Sequence, residues 1–73
     1  MFDGQSVELS LPWGSVLAAN LLGSGNTVDI SNGSWGVVRS VLDVSNSDTL
    51  AAVKFFNFKH ELVIPIKYLK ALS

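Results

Sequence analysis

The side chains that most often carry out catalysis or hold metals are few and scattered in this chain. It contains no cysteine, which excludes a thiolate nucleophile, a disulfide and a cysteine-ligated metal. The single histidine, His60, stands between Lys59 and Glu61, a setting typical of a solvent-exposed turn. The acidic residues are too dispersed to nominate a pair for acid–base chemistry. We therefore predict no catalytic residue, metal site or cofactor, and expect a protein that is not an enzyme.

Two short motifs resemble functional loops but lack the context that such loops need. The segment GSGN at 23–26 has the glycines of a phosphate-binding loop, yet no lysine follows it. The segment NGS at 32–34 matches a glycosylation acceptor, but an Asn-Gly pair also favours a tight hairpin turn. We interpret both segments as turns.

Composition indicates a small domain with more apolar residues than its core can enclose. The 73 residues are 48% hydrophobic and only 15% charged, against a charged share of about 25% in typical domains. We expect one domain over residues 1–73, with several large apolar side chains on its outside. A contiguous group of them would mark a partner surface. No segment could span a bilayer and no basic leader is present, so we expect a soluble cytoplasmic protein without a membrane partner.

The charges divide along the chain. Residues 1–48 hold five acidic residues against Arg39, and residues 49–73 hold four lysines against Glu61. These charges either cover solvated strands and turns or form a lysine face for an acidic partner. With nearby aromatic rings, that face would be a candidate nucleic-acid platform formed by Lys54, Lys59, Lys67 and Lys70. A net charge of −1 makes nucleic acid an unfavoured partner.

Alternating apolar residues and turn signals predict an all-β fold of five strands. The predicted strands cover 6–11, 26–30, 35–44, 49–58 and 61–66, with turns at 31–34 and 45–48. Gly36 leaves room for a bend or bulge in the third of them. The connection at 13–25 is ambiguous: Ser15 could cap a short helix ending near Leu22, or the segment could be a loop or an irregular hairpin. We predict a five-stranded small barrel with a helical or irregular insertion near 15–22.

The order WGVV, AAVKF and VIPIKYLKAL is similar to the closing part of SH3-like small barrels, over about residues 34–72. The resemblance implies a hairpin of two strands, a third strand, one 3₁₀ turn near 65–69 and a final short strand. Pro65 would fix the entry to that turn, with Tyr68 pointing outward and Leu69 into the barrel.

SH3-like barrels serve several unrelated functions, and the fold does not select among them. Pro65 and Tyr68 match the Pro-x-x-Tyr element of peptide-binding adaptors, and Trp13 or Trp35 could stand for the adaptor tryptophan. The Ala-Leu-Tyr-like opening and an acidic first loop are absent. The resemblance to type II dihydrofolate reductases implies a shared tetrameric arrangement at most, because Leu62–Ile64 replace that family's polar pore residues.

The segment FFNF at 55–58 is the strongest candidate for a binding surface. On a strand, Phe55 and Asn57 would face one way and Phe56 and Phe58 the other, so one set either caps the end of the barrel or forms an apolar outer face. We predict a module that associates with itself, and with another protein as well, through such a face. The residues predicted to form it are Trp13, Leu17, Leu21, Trp35, Phe56 and Tyr68. The alternatives are nucleic-acid binding through the lysine face and small-ligand binding at an oligomer pore.

Overall fold

The computed structural model describes residues 1–42 and 49–72, which form seven strands in one antiparallel sheet. The strands are β1 (Ser6–Leu9), β2 (Val16–Leu21), β3 (Thr27–Ser31), β4 (Trp35–Leu42), β5 (Leu50–Phe55), β6 (Leu62–Pro65) and β7 (Leu69–Ala71), with a 3₁₀ turn at Ile66–Tyr68. Their order across the sheet is β3-β2-β6-β5-β4-β1-β7. The all-β prediction is therefore confirmed, and the described residues contain no α-helix.

The sheet does not close into the five-stranded barrel that was predicted. It contains two strands besides those five: β2, which was not predicted, and β7, which is the final short strand that the resemblance implies. Strands β3 and β7 lie at the two edges of the sheet and do not pair with each other. The sheet is long because the connection between β1 and β4 contributes a hairpin of its own, formed by β2 and β3. The predicted turn at 45–48 lies outside the described residues.

The prediction of a helical or irregular insertion near 15–22 is wrong, because this segment forms the regular strand β2. Leu17, Ala19 and Leu21 turn inward, and the residues between them are exposed, which is the period of a strand. Five register pairs with β3, from Val16–Ser31 to Asn20–Thr27, satisfy its backbone on one side. Because both faces of β2 carry apolar residues, the sequence shows no alternation of apolar and polar residues that would have predicted this strand.

The core lies against the inner face of the sheet and is built mostly from alternate residues of the strands. Its largest fully buried side chains are Phe55, Leu9, Ile30, Leu62, Ile64, Val7, Val38 and Val53. The middle strand β5 differs, because Ala51, Ala52 and Val53 are all buried in succession. Small alanines allow neighbouring segments to cover both faces of this strand.

Strand β4 departs from a regular ladder at two positions. Gly36 is buried opposite Phe55, and a Cβ atom there would lie 2.7 Å from the Phe55 Cα, so β4 and β5 approach each other closely. The change of register occurs further along, between Val38 and Ser40. The irregularity predicted at Gly36 is thus a close approach there and a bulge around Arg39.

The turns expected around the hairpin and the last strand are present. Gly33 follows Asn32 with φ +89°, and the Ser34 N–H donates to the Ser31 carbonyl at 3.1 Å. Pro65 precedes the 3₁₀ turn with φ −59°, and the Leu69 N–H closes that turn on the Ile66 carbonyl. Leu69 is buried, as predicted, at the start of β7.

Candidate functional site

The outer face of the sheet carries two aromatic rings that stack on each other. Trp35 begins β4, and Phe56 follows the last residue of β5, where its N–H donates to the Trp35 carbonyl at 3.0 Å. The ring centroids are 4.9 Å apart with planes at 23°, a stacked arrangement. Trp35 remains 54% exposed and Phe56 69% exposed. We refer to these two rings as the aromatic surface.

The register of the sheet extends the aromatic surface into a row across the outer face. Glu8 of β1 lies opposite Trp35 on one side and opposite Lys70 of β7 on the other. Because directly opposite residues in a sheet project to the same side, Trp35, Glu8 and Lys70 form one row. Phe56 extends this row by stacking on Trp35, and we refer to the four residues as the outer row. A shallow depression of about 260 Å³ adjoins this row, between the turn at 32–34 and residues 55–58.

A second aromatic pair lies elsewhere on the surface. The rings of Trp13 and Tyr68 meet edge to face, with centroids 5.2 Å apart. The Trp13 indole N–H donates to the Val16 carbonyl at 2.7 Å, and the Lys67 ammonium lies 5.2 Å from the Tyr68 ring centroid. Within residues 1–42 and 49–72, no ring contact joins this pair to Trp35 and Phe56. Four of the six predicted surface residues thus form two separate pairs.

The remaining predicted surface residues belong with the core. Leu17 and Leu21 are half-buried on the inward side of β2 and pack against the buried cluster. Of the FFNF segment, Phe55 is core, Phe56 is exposed, and Phe58 is half-buried against the core. Phe56 and Phe58 do not share a strand face, because β5 ends at Phe55 and the chain turns there.

The four lysines that were predicted to form one face lie in different surroundings. The Lys54 ammonium donates to the backbone carbonyls of Phe55 and Phe58, so it holds the turn that follows β5. Lys67 lies over Tyr68, and Lys70 lies beside Glu8 at the edge of the sheet. Lys59 is exposed in the connection between β5 and β6.

A cleft that the sequence did not predict gathers several charged side chains. It has a volume of about 360 Å³ and is lined by Leu22, Arg39, Lys54, Lys59, His60 and Glu61. We refer to it as the cationic cleft. The sequence provides no reason to group Arg39 with the lysines, because it is the only basic residue among the five acidic residues of 1–48. Only the pairing of β4 with β5 brings it near the lysines.

Neither these surfaces nor the chain as a whole can be interpreted through relatives. No protein-family model matches the chain, and no curated protein or solved structure shows significant similarity to it. In residues 1–42 and 49–72, no helix combines the length and the apolar character needed to cross a membrane. The function must therefore be inferred from the residues of the two surfaces themselves.

Proposed function

We propose that this chain is an SH3-like binding module without enzymatic activity, and that it assembles with a second copy of itself through the aromatic surface. The order of its closing elements supports the SH3-like assignment. A hairpin of β4 and β5 is followed by β6, one 3₁₀ turn and the short strand β7, as the resemblance implies. Strand β1 lies between β4 and β7, so the first and last strands are neighbours.

The observation that carries the assembly proposal is the exposure of the stacked rings of Trp35 and Phe56. Aromatic side chains of this size can bury ~150–250 Å² each, so the exposed parts amount to roughly 250–300 Å² per copy. A stable interface uses about 800 Å² per partner. The rings would therefore form the centre of the interface, and the rest of the outer row with its adjoining depression would form the rim.

The charge of the outer row favours a second copy as the occupant. Glu8 and Lys70 balance each other within the row, so two copies can approach without net repulsion. A strongly charged face would instead repel its own copy and select an oppositely charged partner. The lysine-face alternative ranks lower, because the Lys54 ammonium is bound to backbone carbonyls and Lys67 lies over Tyr68.

The test is light scattering after size exclusion, over a wide range of protein concentration, with the Phe56→Asp variant. The wild-type protein should have a mass that is a multiple of 7.8 kDa, and Phe56→Asp should shift it towards the monomer. Phe2→Asp is the matched control, because Phe2 is 60% exposed and lies outside the outer row. Circular dichroism should show that both variants remain folded.

Two results would overturn the proposal. A wild-type monomer at every concentration would mean that the aromatic surface serves another protein or none. An equal loss of mass in Phe2→Asp would mean that association depends on general apolar exposure rather than on the stacked pair. If Phe56→Asp fails to fold, Trp35→Ser tests the same surface from β4.

A further inference from the structure

The cationic cleft concentrates positive charge in a chain that is acidic as a whole. The chain has five Lys and Arg residues and a net charge of −1, yet three of those five line this one cleft. Arg39 comes from β4, Lys54 from β5, and Lys59 from the connection between β5 and β6. Among residues 1–42 and 49–72, Glu61 is the only carboxylate in the lining. Such convergence from three segments creates a local field opposite in sign to the net charge.

Arg39 lies exposed at an irregular point of β4. It lies at the register change between Val38 and Ser40, where a bulge can redirect a side chain. It is exposed, and it makes no hydrogen bond or ion pair with any residue in 1–42 or 49–72. Its guanidinium therefore retains a fork of donors that suits a phosphate or carboxylate group.

The other side of the cleft is held in place by Lys54. Its ammonium bonds to the carbonyls of Phe55 and Phe58, and these bonds fix the chain just before Lys59 and His60. The Lys54 charge still contributes to the field, although its donors are already used. Lys59 and His60 are exposed and line the cleft together with the apolar side chain of Leu22.

We infer that the cationic cleft is a binding site for a small phosphate-bearing molecule. Arg39 would bind the phosphate through two N–H donors, and Lys59 would supply a second, compact positive charge. A volume of about 360 Å³ is at the lower end for ligand pockets, so the occupant is a small molecule rather than a long polymer segment. Glu61 would weaken binding through repulsion.

The test is an NMR titration of the full chain with pyrophosphate at low and at physiological ionic strength. Backbone amide shifts should be saturable and centred on Arg39, Lys59 and His60. Arg39→Gln should weaken binding about tenfold, which is the effect of losing one good charged hydrogen-bonding group. Glu61→Gln should tighten binding, since it removes the repelling carboxylate. Lys59→Gln provides a second loss-of-charge variant if Arg39→Gln does not fold.

Lys67→Gln is the matched control, because it lowers the net charge equally but lies in the 3₁₀ turn, outside both the cleft and the outer row. It should leave pyrophosphate affinity unchanged. Equal weakening by Arg39→Gln and Lys67→Gln would overturn the inference in favour of general electrostatic attraction, as would shifts that never saturate. A thymidine oligonucleotide that displaces pyrophosphate from the cleft and binds there more tightly would also overturn the choice of a small molecule as the ligand.

Phosphate binding in the cationic cleft is a separate property from the proposed self-association, and the two can be tested independently. A Phe56→Ser variant keeps the net charge and should still bind pyrophosphate in the cleft, even if it no longer associates. Loss of pyrophosphate binding in that variant would contradict the separation of the two surfaces.

Discussion

The close approach of β4 to β5 at Gly36 leads to a severe predicted effect of adding one methyl group. In Gly36→Ala the new Cβ would lie 2.7 Å from the Phe55 Cα and 2.9 Å from the Lys54 carbonyl carbon. Both neighbours are backbone atoms, so no side-chain rotation can relieve the overlap. The two strands must separate, which strains the pairing that leads into the Trp35–Phe56 stack.

The expected loss is about 3 kcal/mol, at the upper end for overpacking. At 0.05–0.15 kcal/mol per residue, the free energy of unfolding of 73 residues is about 4–11 kcal/mol, so the loss is a large share of it. With a urea dependence of about 1 kcal/mol/M, the unfolding midpoint should fall by about 3 M.

The matched control for this prediction is Gly25→Ala. No atom lies within 4 Å of a Cβ at Gly25, and its φ is outside the left-handed region. This variant should be neutral or stabilised by up to about 1 kcal/mol, through the unfolded state. If urea denaturation gave Gly36→Ala and Gly25→Ala the same midpoint, the packing argument for β4 and β5 would be refuted.

Two other contacts give smaller effects that thermal or urea unfolding can measure. Lys54→Met removes the donor for the Phe55 and Phe58 carbonyls and should cost about 1–2 kcal/mol. Lys59→Met, at an exposed position, should stay within about 0.5 kcal/mol of wild type, and an equal loss in both would contradict the role given to Lys54. Asn32→Ala leaves the Leu11 N–H without its 2.7 Å acceptor and should cost about 1–2 kcal/mol, whereas Asn32→Asp keeps an oxygen there. If Asn32→Asp were as destabilised as Asn32→Ala, this bond would not be the cause.

The strands that the sequence predicted correctly share a local signal. In β1 the buried Val7 and Leu9 alternate with less buried residues, and the Asn-Gly turn marks the start of β4. These signals depend on only a few neighbouring residues, so they predict the strand without knowledge of its pairing partners. Strand β2 lacked such a signal, because exposed Val16 and Ala18 are as apolar as their buried neighbours. Its strand form depends on pairing with β3 and β6, which is not local.

The sequence predicted some residues of the candidate sites but not which of them come together. Trp35 and Phe56 stood out as aromatic residues at strand positions, yet their stacking depends on the register between β4 and β5. A shift of one residue would have sent one ring to the other face. The cationic cleft is still less local, because Arg39 and Lys59 are 20 positions apart and reach it from different elements.

The aromatic surface and the cationic cleft each take one residue from β4, which constrains how the protein can use both. Trp35 and Arg39 are both exposed and lie four residues apart on β4, with Gly36 and Val38 buried between them. Four residues along a strand span about 13 Å, so a copy centred on Trp35 need not cover Arg39. Two copies placed on each other's clefts would repel, whereas two copies placed on each other's neutral rows would not. The charge pattern thus favours the proposed assembly at the end of β4 that carries Trp35, and this assembly would leave the proposed phosphate site open at the other end.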